Sequence, residues 1–276
     1  MSLIGRALWF INAHAGDQLS LETIAQSVGV SRHHLAHAFG EATGRSVIGY
    51  LRGLRLSAAA RSLADGAPDI LQVALEAGYG SHEAFTRAFR DQFGLTPEQV
   101  RGQRQLGTVN LVEPIEMTQP STVVLNAPTI ETSKPMLLAG QIASYTFETM
   151  GALPAQWEKF IPHLGNVPGQ VGRVAYGVVL KASETGFDYL CGVEVKDFDR
   201  LPADLDRIRV PAQRYAVFRQ TDHISKIRNV WSEVWSAWLP SSGYQVADAP
   251  RLERYDEAFD GRSGEGGYQI WLPIKA

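Results

Sequence analysis

Hydrophobic positions recur with a helical period through residues 3–104, and one pattern occurs twice within that stretch. Each copy has an alanine, a glycine four positions later, a serine, and then apolar residues spaced by four. The glycine supplies a positive φ between two helices, and the alanine lets those helices approach closely. The first copy is Ala25, Gly29, Ser31, Leu35, Phe39 and Gly44, and the second is Ala74, Gly78, Ser81, Phe85, Phe89 and Gly94. The pattern predicts two helix-turn-helix units, whose second helices have the form that enters a DNA major groove.

A long helix is predicted between the two units, over residues 47–64. The run Asp65-Gly66-Ala67-Pro68 then ends it, because glycine and proline both interrupt helices. A last short helix begins at Thr96-Pro97-Glu98, with threonine as its cap and proline at its first position. Residues 1–107 are therefore expected to form an all-α domain.

The composition changes after residue 107, and prolines divide the next stretch into short apolar pieces. We interpret residues 108–129 as an extended, stiff linker whose first part could add an edge strand. Beyond it the hydrophobic period changes from 3.6 to 2. A second domain is therefore expected over residues 130–276.

The second domain shows one order of elements twice. The first block has a strand at 137–147, a helix containing Trp157 and Phe160, and strands at 173–180 and 187–195. The second block has a strand at 214–220, a helix from 223 to 239, and strands at 252–256 and 268–273. The pattern predicts a duplicated βαββ unit of the α+β class, with a groove between its halves.

Length and composition agree with two soluble globular domains: the chain has 276 residues, 45% of them hydrophobic, and a net charge of −3. No stretch approaches the roughly 18 consecutive apolar residues of a membrane span, so no membrane partner is expected. The single cysteine, Cys191, excludes an intrachain disulfide and fits a reducing compartment. It lies among alternating apolar residues and is interpreted as a buried strand residue. These features favour a cytoplasmic location.

In the first domain, the positions of the charged residues indicate more about binding partners than the net charge does. Residues 1–107 hold ten arginines, nine acidic residues and no lysine. Arginine suits bidentate contacts to phosphate and guanine, although a GC-rich genome would also favour arginine codons. Seven of these arginines lie on or beside the repeats: Arg32, Arg45, Arg52, Arg55, Arg61, Arg87 and Arg90.

The run ALEAGYGSHEAFTRAFRDQFGLTPEQVR at 74–101, with YLRGLRLSAAARSL before it, resembles the DNA-binding domain of the AraC family of transcription regulators. The resemblance covers residues 3–104. It implies that each second helix reads a major groove and that the long helix sets the separation of the two. Double-stranded promoter DNA is the partner this implies, with RNA polymerase as a further candidate.

The resemblance also implies which side chains meet DNA. Base-reading positions in the first unit fall on His33, Ala36 and His37, and in the second on His82, Glu83 and Arg87. Thr86 could reach a phosphate or a thymine methyl group. Phosphate contacts are expected from Arg45 and Arg90, and Arg32 is a further candidate for contact with DNA. The alternative is that these side chains form the solvated face of a helical bundle.

The second domain resembles the GyrI-like family of small-molecule-binding domains. The segments that carry this resemblance are FDYLCGVEV, VPAQRYAVFRQ, VWSEVWSAWLP, LERYD and YQIWLPI, within residues 130–276. It implies an aromatic-lined pocket with a carboxylate at Glu253. Alternation places Tyr255 on the same strand face as Glu253, and a carboxylate among aromatic rings suits a lipophilic cation. The candidate walls are Tyr176, Tyr189, Trp231 and Trp271.

Ordinary core packing is the alternative for each of these aromatic residues, and an ion pair with Arg251 or Arg254 is the alternative for Glu253. Trp235 and Trp238 are expected on other sides of their helix from Trp231, so that all three do not line one site.

A ligand-responsive DNA-binding transcription regulator is the function favoured by these features. Two alternatives stay open: a hydrolase of electrophilic natural products, in which Glu253 and Tyr255 would activate water, and a protein that sequesters toxic compounds. Metal-ligand spacing, a nucleophile motif and a phosphate-binding loop are not found in the sequence. No catalytic residue, metal or cofactor is therefore assigned.

Overall fold

The computed structural model describes residues 2–107, 109–115 and 123–275. The chain folds as two compact units. The first unit contains Met1–Leu35 and Val47–Gln119, and the second contains Ala36–Ser46 and Pro120–Ala276. The predicted linker, 108–129, falls partly outside the described residues, at 108 and 116–122.

Seven helices are described in residues 2–107, and the last six follow the predicted order. They are α1 (Leu3–Ala13), α2 (Leu21–Val28), α3 (Arg32–Thr43), α4 (Val47–Ala64), α5 (Ile70–Glu76), α6 (His82–Phe93) and α7 (Pro97–Gln103). Both repeats are helix-turn-helix units, α2–α3 and α5–α6, as predicted. Glycines form the turns, with φ of 77° at Gly29 and 85° at Gly78.

Local hydrogen bonds explain where several of these helices begin. The Ser20 side chain accepts from the Thr23 N–H, and the Ser81 side chain accepts from the Ala84 N–H. Thr96 and Gln99 form a reciprocal capping box, and Pro97 occupies the first helical position. Tertiary packing then holds the second repeat, because Phe85 and Phe89 are fully buried in a cluster with residues of α4.

The second unit contains one eight-stranded antiparallel sheet. Its strands are β1 (Thr129–Thr132), β2 (Met136–Thr146), β3 (Gln170–Ala182), β4 (Gly186–Val195), β5 (Asp206–Val210), β6 (Arg214–Gln220), β7 (Arg251–Tyr255) and β8 (Tyr268–Pro273). Their order across the sheet is β1-β6-β8-β7-β3-β4-β2-β5. Helix α8 (Leu153–Phe160) follows β2, and α9 (Ile227–Glu233) follows β6.

The predicted duplication is confirmed by this order. The blocks β2-α8-β3-β4 and β6-α9-β7-β8 occupy mirrored places in the sheet, and β3 pairs with β7 where the two blocks meet. Strands β1 and β5 are additions at the sheet edges. Strand β1 lies at the end of the predicted linker, whereas the described residues 109–115 contain no strand.

The predicted helix at 223–239 is divided into several segments. After α9 the chain forms a π-helical segment, Val234–Trp238, and then α10 (Leu239–Ser242). π-Helical segments are rare and occur frequently at functional sites. This segment contains Trp235, which is fully buried.

The two faces of the sheet bury different clusters. One cluster contains Tyr189, Cys191 and Phe160 of α8. The other contains Tyr176, Leu252 and Tyr215. Cys191 is a buried strand residue, as predicted, and burial raises the pKa of its thiol. No helix among the described residues has the length and apolar character to cross a bilayer.

Candidate functional site

Three aromatic donors hold the Glu253 carboxylate. The hydroxyls of Tyr189 and Tyr255 donate to Oε2, at 2.5 and 2.9 Å. The Trp231 indole donates from Nε1 to Oε1 at 2.9 Å. Trp157 in turn donates to the Tyr189 hydroxyl oxygen at 3.3 Å. The carboxylate is half-buried, and its three donors are buried around it.

The pairing of β3 with β7 creates the room for this arrangement. Gly177 lies opposite Glu253 across the two strands. A Cβ atom at Gly177 would lie 1.9 Å from the Tyr189 hydroxyl oxygen and 2.7 Å from Oε2 of Glu253. Only glycine therefore allows the tyrosine and the carboxylate to meet over this strand.

The tyrosines are neutral donors. The pKa values of Tyr189 and Tyr255 are raised well above the usual value for tyrosine. Burial is the larger cause and the negative charge of Glu253 is the second. Among the described residues, Glu253 makes no ion pair, and Arg254 pairs with Asp256 instead. The negative charge of Glu253 is therefore held by neutral aromatic donors.

Arg251 lies on the same face of β7, two residues before Glu253. Its guanidinium carbon is 5.6 Å from the centroid of the Trp231 ring and 5.4 Å from that of Trp235. Trp231 and Trp235 are four residues apart, about one helical turn, and both face Arg251. The expectation that they lie on different sides of the helix is therefore wrong. Trp238 does point elsewhere, packing on Phe218 and Tyr244.

Two of the predicted pocket walls lie on the opposite face of the sheet from Glu253. Tyr176 is paired with Arg254, and Trp271 is paired with Leu252. Paired residues share a face, and alternation puts both neighbours of Glu253 on the other side. Tyr176 and Trp271 belong to the cluster around Leu252, so the structure does not bring them together with Glu253. Tyr189, Tyr255 and Trp231 do meet it.

The candidate DNA-contacting residues of α6 line one surface concavity: His82, Glu83, Thr86, Arg87 and Arg90, together with Asp91. Three of them, Glu83, Arg87 and Arg90, are exposed, and His82 lies 3.1 Å from Glu98. Hydrogen bonds from its own backbone N–H and from the Ser81 side chain lower the pKa of Glu83. The carboxylate at this helix start is therefore ionised at neutral pH.

Helix α3 presents its candidate residues unevenly. Arg32 and His33 are exposed, and Arg32 pairs with Glu22 at 3.3 Å. Arg45 is half-buried. Ala36 and His37 are fully buried, and this differs from the exposed DNA-reading face that the resemblance implies for them.

The burial of His37 has a specific cause. Residues 36–46 belong to the second compact unit, where the His37 ring stacks on Trp235 with 5.1 Å between centroids. Gly40 meets the Phe147 ring so closely that a Cβ there would lie 2.2 Å from it. The Ser46 N–H donates to Glu148 at 2.8 Å. These contacts cover the second half of α3.

Sequence reasoning missed Glu41 in this segment. Burial raises the pKa of its carboxyl to about 7, against opposing attraction from Arg251 and Arg228. No sequence signal identifies it, because a glutamate near a helix end is ordinarily exposed. Gly177 was also missed, although a glycine inside an apolar strand is a recognisable sign of close approach.

Within the described residues, no group of three or more histidine, cysteine, aspartate or glutamate side chains could hold a metal ion.

Comparison with known proteins identifies both domains. A model described as the GyrI-like small molecule binding domain matches residues 126–275, and one described as a helix-turn-helix domain matches residues 24–103. The Transcriptional regulator Rob of Salmonella typhimurium is 24% identical over 274 residues, covering 95% of this chain and 93% of Rob.

Two further relatives match parts of the chain. The Transcriptional regulator BrlR of Pseudomonas aeruginosa is 31% identical over 129 residues, covering 46% of this chain and 47% of BrlR. The Regulatory protein SoxS of Escherichia coli is 33% identical over 92 residues, covering 33% of this chain and 86% of SoxS. The chain belongs to the GyrI-like small-molecule-binding family, and it carries an AraC-type helix-turn-helix domain in front of that module.

Proposed function

We propose that this protein is a transcription regulator that binds promoter DNA through its first domain and a lipophilic cation at Glu253. The observation that carries the proposal is the Glu253 carboxylate, which has no ion-pair partner among the described residues and is held by Tyr189, Tyr255 and Trp231. The DNA-binding role is supported by relatives that are named as regulators: Rob, BrlR and SoxS.

The chemistry of the site favours a cation over a neutral ligand. A half-buried carboxylate whose hydrogen-bond donors are all neutral makes no ion pair among the described residues, and a positive ligand would supply one. Indole and phenol rings add attraction for the same charge through their electron-rich faces. Apolar substituents on the ligand would replace water along the buried aromatic surface.

The DNA contacts are proposed to come from the exposed residues of α6 and the start of α3. Arg87 and Glu83 project from α6, where arginine suits guanine and glutamate suits the amino group of cytosine. Arg90, Arg32 and His33 are also exposed. Arginine contacts to phosphate would set affinity, whereas contacts to base edges would set the sequence preference.

Ligand and DNA must favour different states of the protein for binding to regulate transcription. The second unit contains a direct connection for such coupling, because Trp235 touches both Arg251 and His37 of α3. A ligand that displaces this indole would alter the packing of the segment that follows the exposed start of α3.

Tryptophan fluorescence and calorimetry with a matched pair of ligands test the cation site. Benzyltrimethylammonium carries one positive charge, and neopentylbenzene is its neutral isostere. The wild-type protein should bind the cation at least tenfold more tightly, a difference of about 1.4 kcal/mol. Glu253→Gln should abolish that preference, while Glu257→Gln, at an exposed acid of the same domain, should retain it. Equal binding of both ligands by the wild type would reject the cation site.

A second measurement separates sensing from the alternatives. DNA binding by the full-length protein, with and without the cation, should differ if the ligand regulates it. Binding of the cation without any change in DNA affinity would indicate sequestration, and formation of product from an electrophilic ligand would indicate a hydrolase. Transcription with purified RNA polymerase, the candidate partner, then distinguishes activation from repression.

A further inference from the structure

Arg251 occupies an unusual environment for an arginine. Arg251 is only 5% exposed, and its guanidinium lies over the rings of Trp231 and Trp235. Trp231 is also the indole that donates to Glu253. The arginine therefore already presents a planar cation to the aromatic surface beside the carboxylate.

This guanidinium has few of the contacts that a buried arginine normally has. It carries five N–H donors, and buried arginines are ordinarily paired and hydrogen-bonded. Among the described residues, the Arg251 side chain makes no ion pair, and its Nη2 is buried without a hydrogen-bond partner. The indole rings and the surrounding field of carboxylates are thus its main stabilisation.

Glu41 is the complementary group. It belongs to the segment Ala36–Ser46, which packs in the same unit as β7. Its Oε2 is buried without a hydrogen-bond partner. Glu41 and Arg251 attract one another, although they form no ion pair among the described residues. Trp235 contacts the Arg251 guanidinium and also His37, which lies about one helical turn before Glu41 on α3. The segment that carries Glu41 and the guanidinium of Arg251 therefore meet at one indole, and each group has unused hydrogen-bonding capacity.

We propose that Arg251 is a built-in cation on the Trp231–Trp235 surface, and that an effector cation binds beside Glu253 by displacing its guanidinium toward Glu41. The proposal rests on the cation-binding function and adds the competitor that a ligand must replace. Displacement exchanges one cation for another over the indoles and gives Arg251 a carboxylate partner. Its cost is therefore smaller than that of leaving a buried arginine unpaired.

The proposal defines the class of ligand. A planar or quaternary monocation with apolar groups gains from the indole faces and desolvates easily. Small, strongly hydrated ions gain little there and would not displace a guanidinium. Selectivity would come from this competition, because only a cation that suits the aromatic surface better than Arg251 does would bind.

Arg251→Met tests the competition directly, since it removes the built-in cation and keeps an unbranched apolar side chain. The dissociation constant of benzyltrimethylammonium should fall about tenfold relative to wild type, the value expected when one desolvated cation–π competitor is removed. Arg209→Met is the matched control, because Arg209 also lies over an aromatic ring, Phe198, at 5.0 Å, but on the edge strand β5. Arg209→Met should leave the dissociation constant of benzyltrimethylammonium unchanged.

Glu41→Gln tests the destination of the guanidinium. It should weaken cation binding in the wild-type background, where the displaced guanidinium of Arg251 needs the negative charge of Glu41. It should have no effect in the Arg251→Met background. Equal weakening in both backgrounds would mean that Glu41 attracts the ligand directly, and it would overturn the displacement to Glu41.

The outcomes separate this proposal from the proposed function. If wild type prefers the cation and Arg251→Met binds it no more tightly, the built-in cation is rejected and the Glu253 site stands. If neither protein prefers the cation over neopentylbenzene, the cation-binding function itself is rejected. Should Arg251→Met not fold by circular dichroism, Arg251→Lys replaces it. The lysine keeps the charge but cannot lie flat on the indoles, so affinity should rise about threefold, and an unchanged affinity would overturn the proposal.

Discussion

The indole nitrogen of Trp231 lies 2.9 Å from Oε1 of Glu253, and this bond joins α9 to the central strand β7. The face of the same indole carries the Arg251 guanidinium. One side chain therefore contacts both the candidate ligand-binding carboxylate and the cation beside it. Substitutions around this indole separate its roles.

Trp231→Phe should destabilise the protein and weaken cation binding together. Phenylalanine keeps an aromatic face for Arg251 but loses the N–H that Glu253 accepts, and a hydrogen bond to a charged group contributes about 1.5–3 kcal/mol. Urea denaturation measures the loss of unfolding free energy. Trp271→Phe also removes an indole hydrogen bond, to Gln269, but on the opposite face of the sheet, so it should leave cation affinity unchanged. Loss of affinity in both variants would contradict the placement of the site.

Gly177→Ala should disrupt the Tyr189–Glu253 contact. The added methyl group would lie 1.9 Å from the Tyr189 hydroxyl oxygen, so the tyrosine must move, at a cost of about 1–3 kcal/mol for overpacking. Thermal unfolding monitored by circular dichroism measures this cost. Gly151→Ala is the control, because a Cβ at Gly151 meets no atom within 4 Å. Equal stability of the two variants would show that the contact is not formed as described.

Stability should depend on pH through Glu41. Burial raises the pKa of this carboxyl from 4.5 to about 7 in the folded protein. The folded state therefore binds this proton more tightly than the unfolded state does. The stability that protonated Glu41 contributes is complete below pH 4.5 and is lost as pH rises through 7. The difference is about 3 kcal/mol over this window.

Glu41→Gln should remove this dependence, because glutamine does not titrate. Unfolding free energies of wild type and Glu41→Gln, measured by urea denaturation from pH 4.5 to 8, give a difference that isolates Glu41. A difference that stays constant with pH would contradict the burial of this carboxyl. The Glu41 carboxyl is also affected by three nearby charges, those of Arg251, Glu253 and Arg228.

Arg87→Ala and Arg90→Ala should affect DNA binding in different ways. Both arginines are exposed on α6. Loss of a bidentate guanine contact at Arg87 should cost about 1–3 kcal/mol on the preferred site and relax the preference at one base pair. Loss of a phosphate contact at Arg90 should weaken binding to all sequences. It should also lower, by about one, the slope of the logarithm of the binding constant against the logarithm of salt concentration. Binding to randomised DNA at several salt concentrations measures both, and a uniform loss from Arg87→Ala would assign that residue to phosphate.

Local signals determined much of the fold. The turns at Gly29 and Gly78 require positive φ, and the caps at Ser81 and Thr96 satisfy free N–H groups at helix starts, so each element is encoded within a few residues. Alternation likewise encodes the shared face of Glu253 and Tyr255. These features depend on neighbours in the chain, and the sequence alone predicted them.

Tertiary structure decided which side chains meet at the site. The faces occupied by Tyr176 and Trp271 depend on strand pairing, and pairing joins residues that are far apart in sequence. The burial of Glu41 and Arg251 depends on helix and strand packing that no local pattern records. The sequence thus determined most of the elements, because these depend on local backbone geometry, whereas Glu253 was identified through the family resemblance. Only the fold decided which of the candidate aromatic residues meet Glu253, because long-range packing sets distance and burial.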